Sequence, residues 1–157
     1  MSSITASCVV IGVFYIYIPV FVKGPLLANI LKEKGNDKNK DEFLLQPREA
    51  LTRAKEIADM ETADFLSRLQ ACHQNMLEWF PIFCAACLFA IVFSVPSKTT
   101  DIIALVNIGA RLIYMYVYMT GTQQWKGIVR SLMFFTCITA NTVLLIYSAA
   151  YAPKPAL

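Results

Sequence analysis

Four long apolar segments constrain this chain more than any other feature of its sequence. They run over residues 4–31, 65–95, 101–119 and 128–151. A helix of about 20 apolar residues crosses the ~30 Å hydrocarbon core of a bilayer, so each segment reaches or approaches that length. Lipid offers backbone groups no hydrogen-bonding partner, and the runs are too long and continuous for the strands of a closed barrel. The sequence therefore predicts an all-α integral membrane protein.

The composition and length agree with this prediction. The chain has 157 residues, of which 57% are hydrophobic, whereas soluble domains contain about 45–50%. This length has room for one domain, so we expect residues 1–157 to form a single up-down bundle of four transmembrane helices. A small bundle often satisfies its polar groups within the membrane through neighbouring copies, so we expect an oligomer rather than a monomer.

A polar stretch, residues 32–64, separates the first two segments, and within it Pro47 opens a short amphipathic helix that we expect to reach Ala58. Lys and Arg concentrate in cytoplasmic loops, so their distribution predicts the orientation. The first and third loops carry Lys32, Lys34, Lys38, Lys40, Arg48, Arg53, Lys55 and Lys126. The opposite side carries Lys98 and Lys154. We therefore predict a cytosolic first loop, non-cytosolic termini and contact with membrane lipid.

Several other classes of protein are disfavoured. The net charge is +3, and the basic residues lie in loops rather than on a recognition element, so we expect no nucleic-acid partner. Cys84 and Cys87 have the spacing of a redox or zinc pair, but they lie within a span that has no second pair and no nearby His. We predict packing roles for the cysteines and no metal. No filter-like motif supports a channel.

Ionisable residues inside the spans mark the candidate functional site. Each costs roughly 2.5–3.5 kcal/mol on insertion scales, so it normally has a role and a partner. We identify Arg68 and Glu78 in the second span, Arg111 in the third, and Arg130 at the start of the fourth.

Helical geometry groups these residues with polar neighbours. At ~100° per residue, two sets each share one side of a helix: Arg68, Asn75 and Glu78 within roughly 80°, and Arg111, Tyr114 and Tyr118 within about 60°. Bringing the two faces together would pair Glu78 with an arginine and create a cavity that suits an anionic polar ligand. A purely structural ion pair between Glu78 and Arg111, with Asn75 as an interhelical hydrogen-bonding residue, is the open alternative.

The run from Ala71 to Phe83 resembles the helix-two signature of the MAPEG family, R-A-x-x-N-x-x-E-x-x-P-x-F. Asn75, Glu78, Pro81 and Phe83 match it, whereas Ala71 stands at the position of the signature arginine. Three further elements resemble the family in the same order: Gln46-Pro47-Arg48-Glu49, the A-R-x-x-x-x-x-x-Y element at Ala110-Arg111 with Tyr118, and the step Arg130-Ser131. The resemblance spans residues 46–151.

This resemblance implies a homotrimer of four-helix subunits with glutathione bound, as co-substrate, at each subunit interface near the cytosolic face. By analogy, Asn75 and Glu78 would hold the peptide part of glutathione, and Arg111 and Tyr118 would line the site. Arg130 would stabilise the thiolate, because an arginine near a thiol lowers its pKa and raises the fraction of the nucleophilic form.

Three more residues complete the predicted site. Tyr114 shares the polar face of the third span, and Arg68, two helical turns before Asn75, would substitute for the arginine that Ala71 replaces. Lys126, in the turn before the fourth span, is a possible stand-in for Arg130.

The leading hypothesis is a MAPEG-like membrane protein with glutathione-dependent transferase or peroxidase activity on lipophilic electrophiles. The sequence features fit a protein of the endoplasmic reticulum or mitochondrial membrane, and a bacterial inner membrane is a further option. The alternative is a non-catalytic scaffold with the same fold, which presents lipid to a partner or serves as an accessory subunit of a membrane complex. Ala71 is the feature that favours the scaffold.

Overall fold

The computed structural model describes residues 2–34 and 46–153, and every regular element in these two ranges is an α-helix. The five helices are α1 (Ser3–Lys34), α2 (Pro47–Ile57), α3 (Met60–Val92), α4 (Ser97–Thr120) and α5 (Gln124–Tyr151). In α1, α3, α4 and α5 the structure has four helices long and apolar enough to cross a membrane. This confirms the prediction of an all-α integral membrane protein with four spans.

Part of the predicted polar loop, residues 35–45, lies outside the described residues, and so does Lys154. The short helix predicted to start at Pro47 is present as α2, and Pro47 occupies its first position. A proline is well suited there because its missing N–H would have no intrahelical partner.

The chain divides into two compact units, Tyr17–Gln74 and Met1–Ile16 with Asn75–Leu157. In the first unit, α2 packs its small residues against α1 and α3. The core of this unit consists of Leu27, Ile30, Leu31, Ala50, Ala54 and Leu66. Ala50 and Ala54 lie one helical turn apart, so α2 turns a single face to this core.

The first unit also shows why α3 begins earlier than the predicted second span. Asp59 caps the helix: its Oδ2 accepts a hydrogen bond of 3.0 Å from the Thr62 backbone N–H, and its carbonyl accepts one of 2.9 Å from the Ala63 N–H. An aspartate at this position satisfies an otherwise unpaired donor and favours helix formation. Residues 60–64 therefore belong to the helix although their composition is polar.

In the second unit, the end of α3 is closed by a backbone motif. The N–H of Val95 donates to the carbonyl of Ala90 at 2.8 Å, and the N–H of Ser94 donates to that of Ile91 at 3.1 Å. Ser94 has a φ of 56°, the left-handed conformation that this helix end requires. Val95 then packs into a small buried cluster with Ala90 and Leu144, so the turn is fixed by an apolar contact as well as by hydrogen bonds.

At the same end of the second unit, Asp101 of α4 binds the first turn of α1. Its Oδ1 accepts hydrogen bonds from the hydroxyl of Ser2, from the Thr5 hydroxyl at 2.5 Å and from the Thr5 backbone N–H at 3.2 Å. A carboxylate is favourable at a helix N-terminus because the free N–H groups there carry partial positive charge. One side chain of α4 thus fixes the start of α1.

Gly12 allows α1 and α3 to approach closely within the second unit. A Cβ atom at this position would lie 2.9 Å from Cε2 of Phe80 and 3.5 Å from the ring of Trp79. The first distance is too short for two carbon atoms, so only glycine fits without a shift of the Phe80 ring.

We expect Asp101→Ala to lower the thermal unfolding midpoint of the detergent-solubilised protein, because three hydrogen bonds and a favourable charge are lost. Asp101→Asn should have an intermediate effect, since an amide oxygen still accepts hydrogen bonds but carries no charge. Lys98→Ala, an exposed residue of the same helical turn, is the control and should leave the midpoint unchanged. Equal midpoints for Asp101→Ala and Lys98→Ala would contradict the role assigned to this carboxylate.

We expect Gly12→Ala to reduce the free energy of unfolding by about 1–3 kcal/mol, because the added methyl group overpacks the contact with Phe80. Gly109→Ala in α4 is the matched control, since no atom lies within 4 Å of a Cβ added there. That change should be neutral or stabilise the helix by about 1 kcal/mol. Denaturant unfolding of both variants measures the difference, and a Gly12→Ala variant as stable as the control would refute the proposed close contact.

Candidate functional site

The site is built around a fully buried arginine in the second unit. The side chain of Arg111 in α4 is 0% exposed, and its guanidinium carbon lies near three aromatic rings. The distances to the ring centroids are 4.9 Å for Trp79, 5.0 Å for Tyr114 and 5.6 Å for Phe134. A guanidinium within about 6 Å of a ring centroid is attracted by the electron-rich face. Residues of α3, α4 and α5 therefore meet around one charge.

A cleft of about 340 Å³ opens beside this charge. Its lining residues come from α3, α4 and α5 and are Asn75, Tyr114, Tyr118, Ser131, Arg130, Phe134 and Phe135. The rings of Tyr114 and Tyr118 are 5.3 Å apart, and the guanidinium of Arg130 lies 4.7 Å from the centre of the Tyr118 ring. The cleft thus presents a cation, an amide and phenol groups, which can bind an anionic ligand through hydrogen bonds and charge.

A second, more apolar hollow of about 590 Å³ shares three residues with this cleft. Arg130, Ser131 and Phe135 line both. The hollow is also lined by Ile128 and Leu132, whose side chains are largely exposed on α5. In a transmembrane helix such exposed apolar side chains face lipid or a neighbouring helix. All the residues that line this hollow belong to α5, so it is an open surface of that helix, and Arg130 stands between the cleft and this more apolar surface.

The turn between α4 and α5 is closed by Lys126. Its Nζ donates a hydrogen bond of 2.8 Å to the carbonyl of Thr120, in the last turn of α4, where a cation is favourable. Gly121 is required in this turn, because an added Cβ would lie 2.6 Å from the carbonyl oxygen of Val117. The described lining of the cleft includes Arg130 and does not include Lys126. The structure therefore favours Arg130 over Lys126 as the cation of the cleft.

Four of the residues predicted from the sequence line the cleft: Asn75, Tyr114, Tyr118 and Arg130. Arg111 lies beside them, in contact with the Tyr114 ring. The predicted polar face of α4 is also present, since Arg111 stacks on Tyr114 and Tyr114 contacts Tyr118. Glu78 is an exposed residue of α3 and is not among the described residues that line the cleft. Its pairing with Arg111 and the ligand-binding roles of these residues stay predictions.

Arg68 belongs to the other unit, Tyr17–Gln74. There its guanidinium carbon lies 5.7 Å from the centre of the Phe65 ring, one turn earlier on α3. The substitution of Arg68 for the arginine that Ala71 replaces stays a prediction. Within residues 2–34 and 46–153, no group of three or more His, Cys, Asp or Glu side chains is arranged to hold a metal ion.

Sequence reasoning missed the aromatic surroundings of Arg111 and one further charge. Trp79 and Phe134 lie on different helices, and hydropathy alone does not distinguish a ring that faces a cation from one that packs in a core. Lys23 lies within the first span, and its Nζ donates a hydrogen bond of 2.5 Å to Oε1 of Gln70. The rule that singled out Arg111, an ionisable residue in an apolar run, would also have identified Lys23.

Comparison with known proteins gives one finding. The model of the MAPEG family matches residues 4–150. No curated protein and no solved structure matches the chain.

We expect the Tyr118 ring to hold the guanidinium of Arg130 with a coupling energy of about 0.5–1 kcal/mol, the usual magnitude for a partly exposed cation–π pair. A double-mutant cycle with Tyr118→Leu and Arg130→Met measures this energy from denaturant unfolding in detergent. Tyr118→Phe is the matched control, because it removes the hydroxyl and keeps the ring. A coupling energy of zero, or a loss of coupling in Tyr118→Phe, would show that the ring face does not position Arg130.

Proposed function

The chain belongs to the MAPEG family, and from this we propose that it is a glutathione-dependent transferase or peroxidase that acts on lipophilic electrophiles within the membrane. The proposal includes glutathione as co-substrate, a homotrimeric assembly, and residence in the endoplasmic reticulum or mitochondrial membrane. The observation that carries it is the position of Arg130, which lines both the polar cleft and the apolar hollow.

The polar cleft has the chemistry that glutathione requires. Glutathione is a peptide with two carboxylates, an ammonium group and a thiol, so it needs cations and hydrogen-bonding groups around it. Arg130 provides a guanidinium, Asn75 an amide, and Tyr114 and Tyr118 phenol hydroxyls. Arg111 adds a buried positive charge in contact with the Tyr114 ring. The excess of positive charge favours a ligand with net negative charge.

Arg130 fits the role of thiolate stabiliser. A thiolate beside a guanidinium is favoured over the neutral thiol, so the nucleophile is populated near neutral pH. In a transferase, its sulfur attacks an electrophilic carbon, a carbon–sulfur bond forms, and the leaving group departs with the bonding electrons. In a peroxidase, the sulfur attacks the terminal oxygen of a hydroperoxide and the O–O bond breaks. The products are an alcohol and the sulfenic acid of glutathione, which a second glutathione converts to the disulfide and water.

The apolar hollow supports a lipophilic second substrate. Ile128, Leu132 and Phe135 are 71%, 59% and 63% exposed on α5, so a hydrophobic molecule in the bilayer can contact them without crossing a polar layer. Because Arg130 also lines this open hollow, such a molecule would meet the sulfur where the cleft adjoins the apolar surface of α5. The arrangement suits a reaction between a water-soluble thiol and a membrane-dissolved electrophile.

The alternative function is a non-catalytic scaffold, and a specific observation favours it. Ala71 occupies the position of the signature arginine, and the nearest preceding arginine on α3, Arg68, lies over the ring of Phe65. A scaffold would keep the fold and the buried charge of Arg111 but would have no need of a reactive thiol. The two functions therefore differ in what they require of Arg130.

We expect Arg130→Ala to lower kcat for glutathione conjugation to chlorodinitrobenzene by about 100-fold, because the group that stabilises the developing charge is removed. Arg130→Lys should retain part of the activity, since lysine is a point charge without the planar fork of arginine. The control is Lys98→Ala, an exposed cation that does not line either cavity described here. Glutathione binding measured by calorimetry should persist in Arg130→Ala. It should be lost in Glu78→Gln if Glu78 holds the peptide part of glutathione, the role that the family resemblance implies for it.

The same titration separates the two functions. A wild-type protein that does not bind glutathione, with binding gained in Ala71→Arg, would establish the scaffold and overturn the proposed enzyme. An absence of binding in both proteins, together with no turnover of chlorodinitrobenzene or cumene hydroperoxide, would overturn the glutathione site altogether.

A further inference from the structure

Trp79 and Asn107 form a buried hydrogen-bonded pair that links α3 to α4 within the second unit. The indole Nε1–H of Trp79 donates to Oδ1 of Asn107 at 3.2 Å, and the two side chains are 1% and 0% exposed. The Nδ2 of Asn107 donates to the carbonyl of Ile103 at 3.0 Å. Because the oxygen and the nitrogen of the amide each have a defined partner, the orientation of the amide is fixed.

The fixed amide in turn fixes the indole ring. Hydrogen bonding at Nε1 sets the rotation of the ring, and the ring also stacks on Phe83 with a centroid distance of 5.1 Å and an interplanar angle of 12°. A Trp side chain held at its nitrogen and across its face has little freedom to tilt. The structure thus contains a ring with a defined plane in the interior of the second unit.

The guanidinium of Arg111 rests against this ring. Its central carbon lies 4.9 Å from the Trp79 ring centroid and 5.0 Å from that of Tyr114. A cation–π contact is directional, because the attraction is to the face of the ring rather than to its edge. The plane of Trp79 is therefore one of the constraints on where the positive charge of Arg111 lies, together with the rings of Tyr114 and Phe134. Tyr114 connects that charge to the lining of the cleft.

We infer that Trp79 and Asn107 are positioning residues for the polar cleft. Together they hold Arg111 against Tyr114, which lines the cleft, so that a positive charge stays next to it. The inference rests on the proposed function for the identity of the ligand, glutathione. Neither residue lines the cleft as described, and both act through Arg111.

This arrangement predicts an effect on binding rather than on chemistry. The charge of Arg111 attracts the anionic ligand as a whole, whereas Arg130 is the cation assigned to the sulfur. Weakening the hold on Arg111 should therefore raise KM and the Kd for glutathione and leave kcat nearly unchanged. Loss of Arg130 should instead lower kcat and leave glutathione binding in place. Kinetic measurements can therefore separate the two roles.

The test compares the full-length wild type with Trp79→Phe, Asn107→Leu and the double variant. Each single change leaves a buried polar group without its partner and should lower stability, whereas the double change removes both partners and should restore most of it. We expect all three variants to raise KM and Kd for glutathione about tenfold, because the plane of the ring is no longer fixed. Their kcat should stay within about twofold of the wild-type value.

The double variant decides between positioning and simple packing. If it recovers wild-type KM together with wild-type stability, the pair only fills the interior and the inference is wrong. The inference also fails if the variants lower kcat and leave KM unchanged.

A second measurement does not depend on glutathione. The chain has two tryptophans, so Trp125→Phe leaves Trp79 as the only indole, and Trp125 is an exposed residue outside both described cavities. In this background, Asn107→Leu and Arg111→Met should each change the near-ultraviolet circular dichroism of Trp79. An unchanged spectrum in both would overturn the inference even where the protein turns over glutathione. A changed spectrum in a protein that neither binds nor consumes glutathione would uphold the positioning pair and refute the proposed function alone.

Discussion

The burial of one guanidinium organises the second unit of this protein. Arg111 carries a full charge in the middle of an apolar helix, where water cannot solvate it, and a charge at the centre of a span costs roughly 2.5–3.5 kcal/mol on insertion scales. The rings of Trp79, Tyr114 and Phe134 surround it at 4.9 to 5.6 Å. Because these rings belong to α3, α4 and α5, this one side chain contacts three helices.

The ends of the helices are satisfied by one residue that is distant in sequence and by local contacts in the turns. Asp101 binds the first turn of α1, Lys126 binds the last turn of α4, and the turn after α3 is closed by its own backbone with Ser94 in the left-handed conformation. Helix ends carry free N–H and C=O groups, and in a membrane protein these lie where the polar and apolar environments meet. The side chains that satisfy them also limit how the spans can shift along one another.

Charge and apolar surface meet at Arg130. The polar cleft and the apolar hollow share this residue, Ser131 and Phe135, and the proposed reaction between a soluble anion and a membrane-dissolved molecule would occur beside them. The proposed enzyme and the alternative scaffold require the same buried core, because Arg111 must be accommodated in either case. They differ only in the residues that face the cavities, which is why family membership alone does not choose between them.

The sequence by itself determined the number of spans, their helical nature and the polar face of α4. These follow from run length and from the 100° rotation per residue, which are properties of one helix at a time. It placed Asn75, Arg130 and the two tyrosines as candidates, and the structure brings them to one cleft. Only the tertiary structure decided that Trp79 and Phe134 surround Arg111, that Asp101 binds α1, and that Glu78 is exposed. Periodicity shows which side of a helix is polar, but the partner across from it depends on the packing and relative shift of different helices, which no single segment encodes.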